Sequence, residues 1–171
     1  MRTVHLEAHQ VTALNGFLIT PGAAQTWDVT GISLATMGYA AFLPTDSTSY
    51  AATYPGTDHS LHIDAQSLGI VDNIFMNLTS TGLDLAVTDV PAAPRVYSDP
   101  QHLLSFPMHF GNSVTDSYDN GNGPQSSTWT YSGYGTLIST YGTFSNVVLT
   151  TDGSNGFILW NSMPLYPIVL Q

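Results

Sequence analysis

Apolar residues in this chain occur only in short runs, which glycine, proline, asparagine or aspartate interrupts every few residues. The segment around Leu83, Leu85 and Val87 alternates apolar with polar residues, the period of a half-buried strand. Lysine is absent and Glu7 is the sole glutamate, so the charged helix formers Lys, Glu and Arg are scarce, while Thr, Tyr, Val and Ile abound. We therefore predict an all-β domain, a sandwich or barrel-like fold of about ten to twelve short antiparallel strands.

The predicted strands are separated by turn-forming residues, with a loop rich in Ser, Thr, Pro and Gly over residues 44–60. Residues 119–123, with their Asn-Gly steps, predict the turn of a hairpin. The chain length suits a single domain over residues 1–171, with residues 1–13 as a flexible or exchanged N-terminal arm. The strands are predicted at 14–20, 25–30, 39–43, 67–78, 83–90, 113–118, 126–132, 135–140, 143–151, 157–161 and 165–170.

Charge excludes two classes of partner. Arg2 and Arg95 are the only Lys or Arg residues against 12 Asp and Glu, which gives a formal net charge of -10. Nucleic acids and anionic membrane surfaces are bound through basic patches that two arginines cannot form. No apolar run reaches transmembrane length, so we expect no membrane insertion. Residues 1–5 carry no apolar leader segment, and we expect an exported chain whose leader does not form part of this sequence.

Three segments carry a resemblance to a known family: QTWDVTGI at residues 25–32, LLSFPMHFGNS at residues 103–113, and GYGTLI with YGTFSNVVL at residues 133–149. They resemble, in the same order, segments of secreted Bacteroidota proteins that carry a type IX secretion sorting domain at the C-terminus. The resemblance implies a β-rich domain at the cell surface or outside the cell. It implies no particular chemistry.

The sequence predicts no catalytic residue. The chain has no cysteine, no Gly-x-Ser-x-Gly nucleophile elbow and only Glu7 as a glutamate. A Ser-His-Asp triad assembled from distant strands stays open, as does an Asp/His site in a secreted hydrolase.

Two metal sites are considered. Calcium would use hard oxygen ligands on tight loops, namely Asp116, Asp119, Asn120, Asn122 and Asp152. The competing interpretation, which we favour, is that these residues shape β-turns. Zinc would use the pair His59 and His62, but an i,i+3 pair on a strand points to opposite faces, so a turn is required there.

Large aromatic side chains are predicted to form the core, because lone aromatics in strand patterns are usually buried. The candidates are Trp27, Phe106, Trp129, Tyr134 and Trp160.

Together these patterns favour a non-catalytic extracellular surface module for adhesion, glycan contact or self-assembly. The alternatives are a structural subunit of an extracellular filament and the secreted hydrolase named above. The apolar C-terminal segment 165–171 and the N-terminal segment 1–13 are the strands that we expect to pair between copies in a homo-oligomer or filament, because few charges protect sheet edges in this chain.

Overall fold

The computed structural model describes residues 4–13, 18–65, 69–89, 94–153, 157–162 and 165–168. These residues form twelve β-strands and one 3-10 turn at Thr45–Ser47, which confirms the predicted all-β class and strand number. Within them, no helix has the length and apolar character needed to cross a membrane. The strands are β1 (Val4–Ala13), β2 (Gly22–Asp28), β3 (Ser33–Pro44), β4 (His59–Ala65), β5 (Ile70–Leu78), β6 (Gly82–Asp89), β7 (Arg95–Ser105), β8 (Ser113–Asp119), β9 (Pro124–Ser139), β10 (Gly142–Thr151), β11 (Phe157–Ser162) and β12 (Leu165–Ile168).

Three strands lie where no strand was predicted: β1, in the segment expected to be a flexible or exchanged arm, and β4 and β7. Of the strand predicted at 14–20, the described residues 18–20 do not belong to a strand. β4 is rich in histidine and aspartate, and β7 contains Pro100, so neither has a clean apolar alternation. Pro100 lies in the stretch of β7 between Val96 and Gln101, where the pairing with β6 shifts register. Proline has no N–H to donate, and it is tolerated where the ladder of hydrogen bonds is interrupted.

The predicted strands at 126–132 and 135–140 are a single strand, β9. β2 pairs with β9 in parallel, the one parallel pairing among the registers described. A Cβ atom at Gly135 would collide with the backbone carbonyl of Gln25 on β2. Gly133 and Gly135 therefore allow two backbones to approach closely and do not end a strand.

The chain divides into two compact units, each assembled from three stretches. Unit 1 comprises Met1–Gln10, Ala35–Phe106 and Asp116–Ser126; unit 2 comprises Val11–Leu34, Pro107–Thr115 and Ser127–Gln171. The single domain predicted for residues 1–171 is thus shared between two units, and both β8 and β9 contribute residues to each.

Unit 1 is built on β3 to β7, which pair antiparallel in chain order, with β1 next to β3. Phe75 is fully buried in a cluster with Ala86 and Val87, and the rings of Tyr50 and Tyr54 pack against it. The neighbouring Met76 is also buried. The register shift between Phe75 and Met76 leaves Ala86 as the extra residue on β6, and both Ala86 and Val87 belong to the cluster.

Unit 2 is built on β9 to β12, paired antiparallel in chain order, with β2 on β9. Its core contains Trp27, whose side chain is 2% exposed and whose indole N–H donates to the carbonyl of Thr20 at 2.9 Å. The prediction for Trp27 is confirmed, whereas Trp129 is only half-buried; the side chain of Trp160 lies outside the described residues. The remaining buried members of the cluster are Val29, Ile32, Leu137, Val147, Leu149 and Leu159.

Candidate functional site

A β-bulge in unit 1 determines which side chains share a face of β6 and β7. Gly82 pairs with Ser105 and Leu83 with Leu104, but Asp84 pairs with His102, so Leu103 has no partner on β6. Without that extra residue His102 and Ser105, three positions apart, would point to opposite faces. The bulge places the side chains of His102 and Ser105 on the same face as that of Asp84. Leu83 and Leu104 lie on the opposite face and are buried.

Asp84, His102 and Ser105 form a hydrogen-bonded chain, which we call the β6–β7 triad. Nδ1 of His102 lies 2.5 Å from Oδ1 of Asp84, and Nε2 of the same ring lies 2.7 Å from Oγ of Ser105. When Nδ1 carries the proton and donates it to the carboxylate, Nε2 is left to accept from the serine hydroxyl. The imidazole thus connects a carboxylate to a hydroxyl.

The backbone around the triad is held from two sides. The N–H of His102 donates to Oδ2 of Asp116 at 2.8 Å, and the N–H of Phe106 donates to the carbonyl of Thr81 at 2.7 Å. A Cβ atom at Gly82 would collide with the imidazole of His102, so glycine at this position provides the space that the ring occupies. The side chains of His102 and Asp84 are nonetheless 25% and 32% exposed, so solvent reaches the site.

Sequence analysis did not single out these three residues. Asp84 lies at a polar position of the predicted strand 83–90, and the spacing His102-x-x-Ser105 predicts opposite faces on a regular strand. The bulge that brings them together has no signature in the sequence, since Leu103 and Leu104 suit a strand in either register.

The residues considered for calcium are engaged in turn and strand contacts. Oδ1 of Asp119 accepts from the N–H groups of Gly121 and Gly123, at 2.8 and 3.2 Å. Oδ1 of the buried Asn120 accepts from the backbone of Asn122 and the side chain of Gln125, each at 3.2 Å. These bonds are those of an Asx-type turn, as the competing interpretation expects.

The other two calcium candidates lie apart from this turn. Asp116 supports the backbone of His102, as described above. Asp152 follows the end of β10 and belongs to unit 2, whereas Asp116, Asp119, Asn120 and Asn122 belong to unit 1. Among the residues described, no three His, Asp or Glu side chains are grouped so that they could hold a metal ion. Calcium binding stays a prediction.

The zinc pair lies on one regular strand. Both His59 and His62 are in β4, which pairs without a register shift, so the two rings point to opposite faces. His59 bonds Asp58 at 2.6 Å and stacks on Phe42, while Nδ1 of His62 lies 2.8 Å from Oδ1 of Asn73. The turn that a shared zinc ion would require is therefore not present between these histidines.

Unit 2 presents an exposed aromatic cluster, which consists of Phe110, Tyr131 and Tyr134. The side chains of Phe110 and Tyr134 are 47% and 40% exposed, and Tyr131 is half-exposed. The ring of Phe110 packs edge-to-face on both tyrosines, with centroids 5.9 Å from Tyr131 and 5.5 Å from Tyr134. The prediction that Tyr134 belongs to the core is wrong, because the side chain that β9 projects there packs on Phe110 at the surface.

The aromatic cluster is held in place by the backbone. The N–H of Gly111 donates to the carbonyl of Tyr131, and the N–H of Tyr131 donates to the carbonyl of Asn112, both at 2.9 Å. Partial burial is the main cause that raises the pKa of the Tyr131 hydroxyl, and the proximity of Tyr134 raises it further. The hydroxyl therefore stays protonated at neutral pH. The cluster is a fixed, uncharged surface with hydroxyl groups at its edge.

Comparison of the chain with family models, curated proteins and solved structures found no significant match. The functional proposals below therefore rest on the residues and geometry just described.

Proposed function

We propose that the protein is an extracellular surface module that contacts neutral glycans through the aromatic cluster of unit 2, without converting them. The observation that carries this proposal is the exposure of three aromatic rings on a backbone-clamped surface. Exposed apolar area of this kind is seldom left without a role in soluble proteins. Because the rings are already positioned, little conformational entropy is lost on binding.

The chemistry of the cluster suits a sugar. Aromatic ring faces offer apolar area to the C–H face of a pyranose, and the tyrosine hydroxyls can exchange hydrogen bonds with its hydroxyl groups. Polar groups lie close in the chain: Asn112 is exposed, and the hydroxyls of Ser113 and Thr130 lie 2.8 Å apart across β8 and β9. An uncharged ligand also avoids repulsion by the formal net charge of -10.

The proposed location outside the cell has two supports. Cysteine is absent and only 8% of residues are charged, which suits a surface built from Ser, Thr, Asn and Tyr. The resemblance to type IX secretion cargo also favours a location outside the cell. We include export by that route in the proposal.

Binding is tested by native affinity electrophoresis of the full chain in gels that contain soluble β-glucan, xylan or mannan. We expect retardation by at least one of these polysaccharides, and a dissociation constant that rises about tenfold in Tyr134→Ala, the equivalent of about 1.4 kcal/mol. Tyr141→Ala is the matched control, because Tyr141 is 61% exposed but is not a member of the cluster. No retardation of the wild type, or equal loss in both variants, would contradict the proposal.

A second proposal, self-association through terminal strands, is favoured by the strand order. In unit 1, β1 follows β3 at one end of the order, and in unit 2, β12 follows β11 at the other. Terminal strands with few charged side chains are weakly protected against pairing with another copy. Light scattering over a salt series should then show a mass that rises as salt screens the net charge, whereas a monomer at every salt concentration would exclude it.

A further inference from the structure

We propose that the β6–β7 triad is a nucleophilic site at which Ser105 accepts acyl groups from carboxylic esters and returns them to water. This inference goes beyond the proposed glycan contact, since it concerns unit 1 and involves none of the aromatic cluster. The sequence predicts no catalytic residue, and the structure supplies the arrangement that was left open there: three residues on two neighbouring strands, connected through one imidazole.

Each member of the triad has the atom that its role requires. The carboxylate of Asp84 lies 2.5 Å from Nδ1 of His102, where it fixes the tautomer and the orientation of the ring. The opposite nitrogen, Nε2, lies 2.7 Å from Oγ of Ser105, within reach of the proton that a serine must lose to become a nucleophile. His102 and Ser105 are then the catalytic residues, and Asp84 is a positioning residue.

The reaction balances with water as the sole co-reactant. Oγ of Ser105 bonds to the ester carbonyl carbon while its proton moves to Nε2 of His102; the bond from that carbon to the alcohol oxygen then breaks, and the alcohol leaves with the proton. In the second half, water attacks the acyl-serine and gives its proton to Nε2, which returns it to Oγ as the carboxylic acid departs. The enzyme is regenerated without oxidation or reduction.

The substrate class follows from exposure. The side chains of His102 and Asp84 are a quarter and a third exposed, on a strand surface whose opposite face buries Leu83 and Leu104. A site of this kind can meet an acyl group that projects from a larger molecule, because the rest of that molecule can stay in solvent. We therefore assign the triad to small O-acyl esters presented on a surface.

The site is also shaped to keep the imidazole in one position. Gly82 pairs with Ser105 across the bulge, and any side chain there would collide with the ring of His102. The N–H of His102 is fixed by Asp116 on β8. The carbonyl of Leu104 also requires glycine at position 82, so what distinguishes this triad from the pairs at His59 and His62 is the imidazole that bonds a carboxylate on one side and a hydroxyl on the other.

The test is covalent labelling of the full wild-type chain with a fluorophosphonate probe, followed by peptide mass spectrometry. We expect the adduct on Ser105, with labelling lost in Ser105→Ala and slowed at least about a hundredfold in His102→Ala. Ser47→Ala is the matched control, because the hydroxyl of Ser47 in unit 1 donates to the carbonyl of Pro44 at 2.7 Å rather than to an imidazole. Its labelling should equal that of the wild type.

Two further measurements separate catalysis from a structural role. Added imidazole should restore labelling in His102→Ala, since a free base can enter the space that the ring leaves. Hydrolysis of p-nitrophenyl acetate should show a lower kcat in Asp84→Asn with KM little changed, as expected when positioning rather than binding is lost. Absence of an adduct on the folded wild-type chain, or an adduct on Ser105 that forms at the wild-type rate in His102→Ala, would overturn the proposal.

Discussion

Unit 1 and unit 2 differ in what they bury. The described core of unit 2 is a cluster of seven apolar residues around Trp27, and Thr150 is its one buried polar residue among those described. Unit 1 buries polar side chains beside its apolar ones. One of them, Asn73 on β5, bonds His62 on β4, whereas the hydroxyl of the buried Ser60 has no partner among the described residues. The buried polar residues described in unit 1 are Thr45, Ser60, Asp64, Asn73 and Asn120.

The difference bears on function because buried polar groups fix geometry more strictly than apolar contacts do. A hydrogen bond has a narrow range of distance and angle, and an unsatisfied partner is costly, so a polar network tolerates one arrangement. Unit 1 can therefore hold the side chains of the β6–β7 triad in a fixed relative geometry. Unit 2, with its apolar interior, serves as a rigid support for the aromatic cluster on its surface.

The largest effect is expected in unit 2, from Trp27→Ala. Removal of this buried indole leaves a cavity and an unpaired carbonyl at Thr20, and should lower the free energy of unfolding by about 3–5 kcal/mol. Urea unfolding followed by circular dichroism measures the loss. Trp129→Ala is the control on β9, and because Trp129 is only half-buried its loss should be clearly smaller. Equal losses would mean that unit 2 is not organised around Trp27.

The matching test in unit 1 is Asn73→Ala. Oδ1 of Asn73 accepts from Nδ1 of His62 at 2.8 Å, and Nδ2 of Asn73 donates to the hydroxyl of Tyr50 at 3.2 Å. Its removal leaves both partners without that bond and should cost about 1–3 kcal/mol. Asn77→Ala, at a half-buried position on the same strand, should cost about 0.5 kcal/mol or less. If the two variants unfold alike, the polar network does not stabilise unit 1.

Much of the strand structure and of the apolar core could be predicted from the sequence. The strand class and the core position of Trp27 follow from alternation and residue size, which are local properties. β4 escaped prediction because its histidines are partly buried and Asp64 is buried in unit 1, so it lacks the usual alternation of buried apolar and exposed polar residues.

The candidate sites could be predicted less well, for two physical reasons. The β6–β7 triad depends on a bulge, and a shift of one residue reverses every side chain beyond it without any change in composition. The exposure of Tyr134 depends on Phe110, which is distant in the chain and packs against it only after folding. Both are properties of strand pairing rather than of single strands.

A smaller, pH-dependent effect is expected from tyrosine hydroxyl groups in both units. In unit 1, partial burial and then the hydrogen bond from its hydroxyl to the carboxylate of Asp89 raise the pKa of Tyr54; in unit 2, partial burial raises that of Tyr131. A raised pKa means that the unfolded chain loses its proton first, so stability is unaffected below about pH 10 and falls as pH rises beyond it. Thermal melts from pH 8 to 11.5 should show this fall.

Substitution of each tyrosine should show how much of the loss of stability at alkaline pH comes from each unit. Tyr54→Phe should cost about 0.5–1.5 kcal/mol at pH 7, since it removes the bond to Asp89, yet flatten the alkaline decline. Tyr131→Phe should also make the alkaline decline in stability less steep. At neutral pH it should lower the free energy of unfolding less than Tyr54→Phe, because among the described contacts the Tyr131 hydroxyl makes no side-chain hydrogen bond. A decline that is identical in wild type and both variants would show that other groups are responsible.

The smallest effect is expected at Asp28, at the end of β2 in unit 2. Oδ1 of Asp28 accepts from the hydroxyl of Thr30 at 2.6 Å and from its N–H at 3.0 Å, and these bonds, the hydroxyl first, hold the pKa of the carboxyl below its ordinary value. A lowered pKa gives stability that is present above the unfolded value, about 3.9, and is lost as pH falls through the folded value. Because the carboxyl is exposed, solvent screens the bonds and the loss should be slight.

Asp28→Asn keeps the acceptor without the charge, so its thermal midpoint should match that of the wild type at pH 7 and decline less below pH 4. A large difference between the two at pH 7 would mean that the Asp28 turn, and not only the apolar cluster, determines the stability of unit 2.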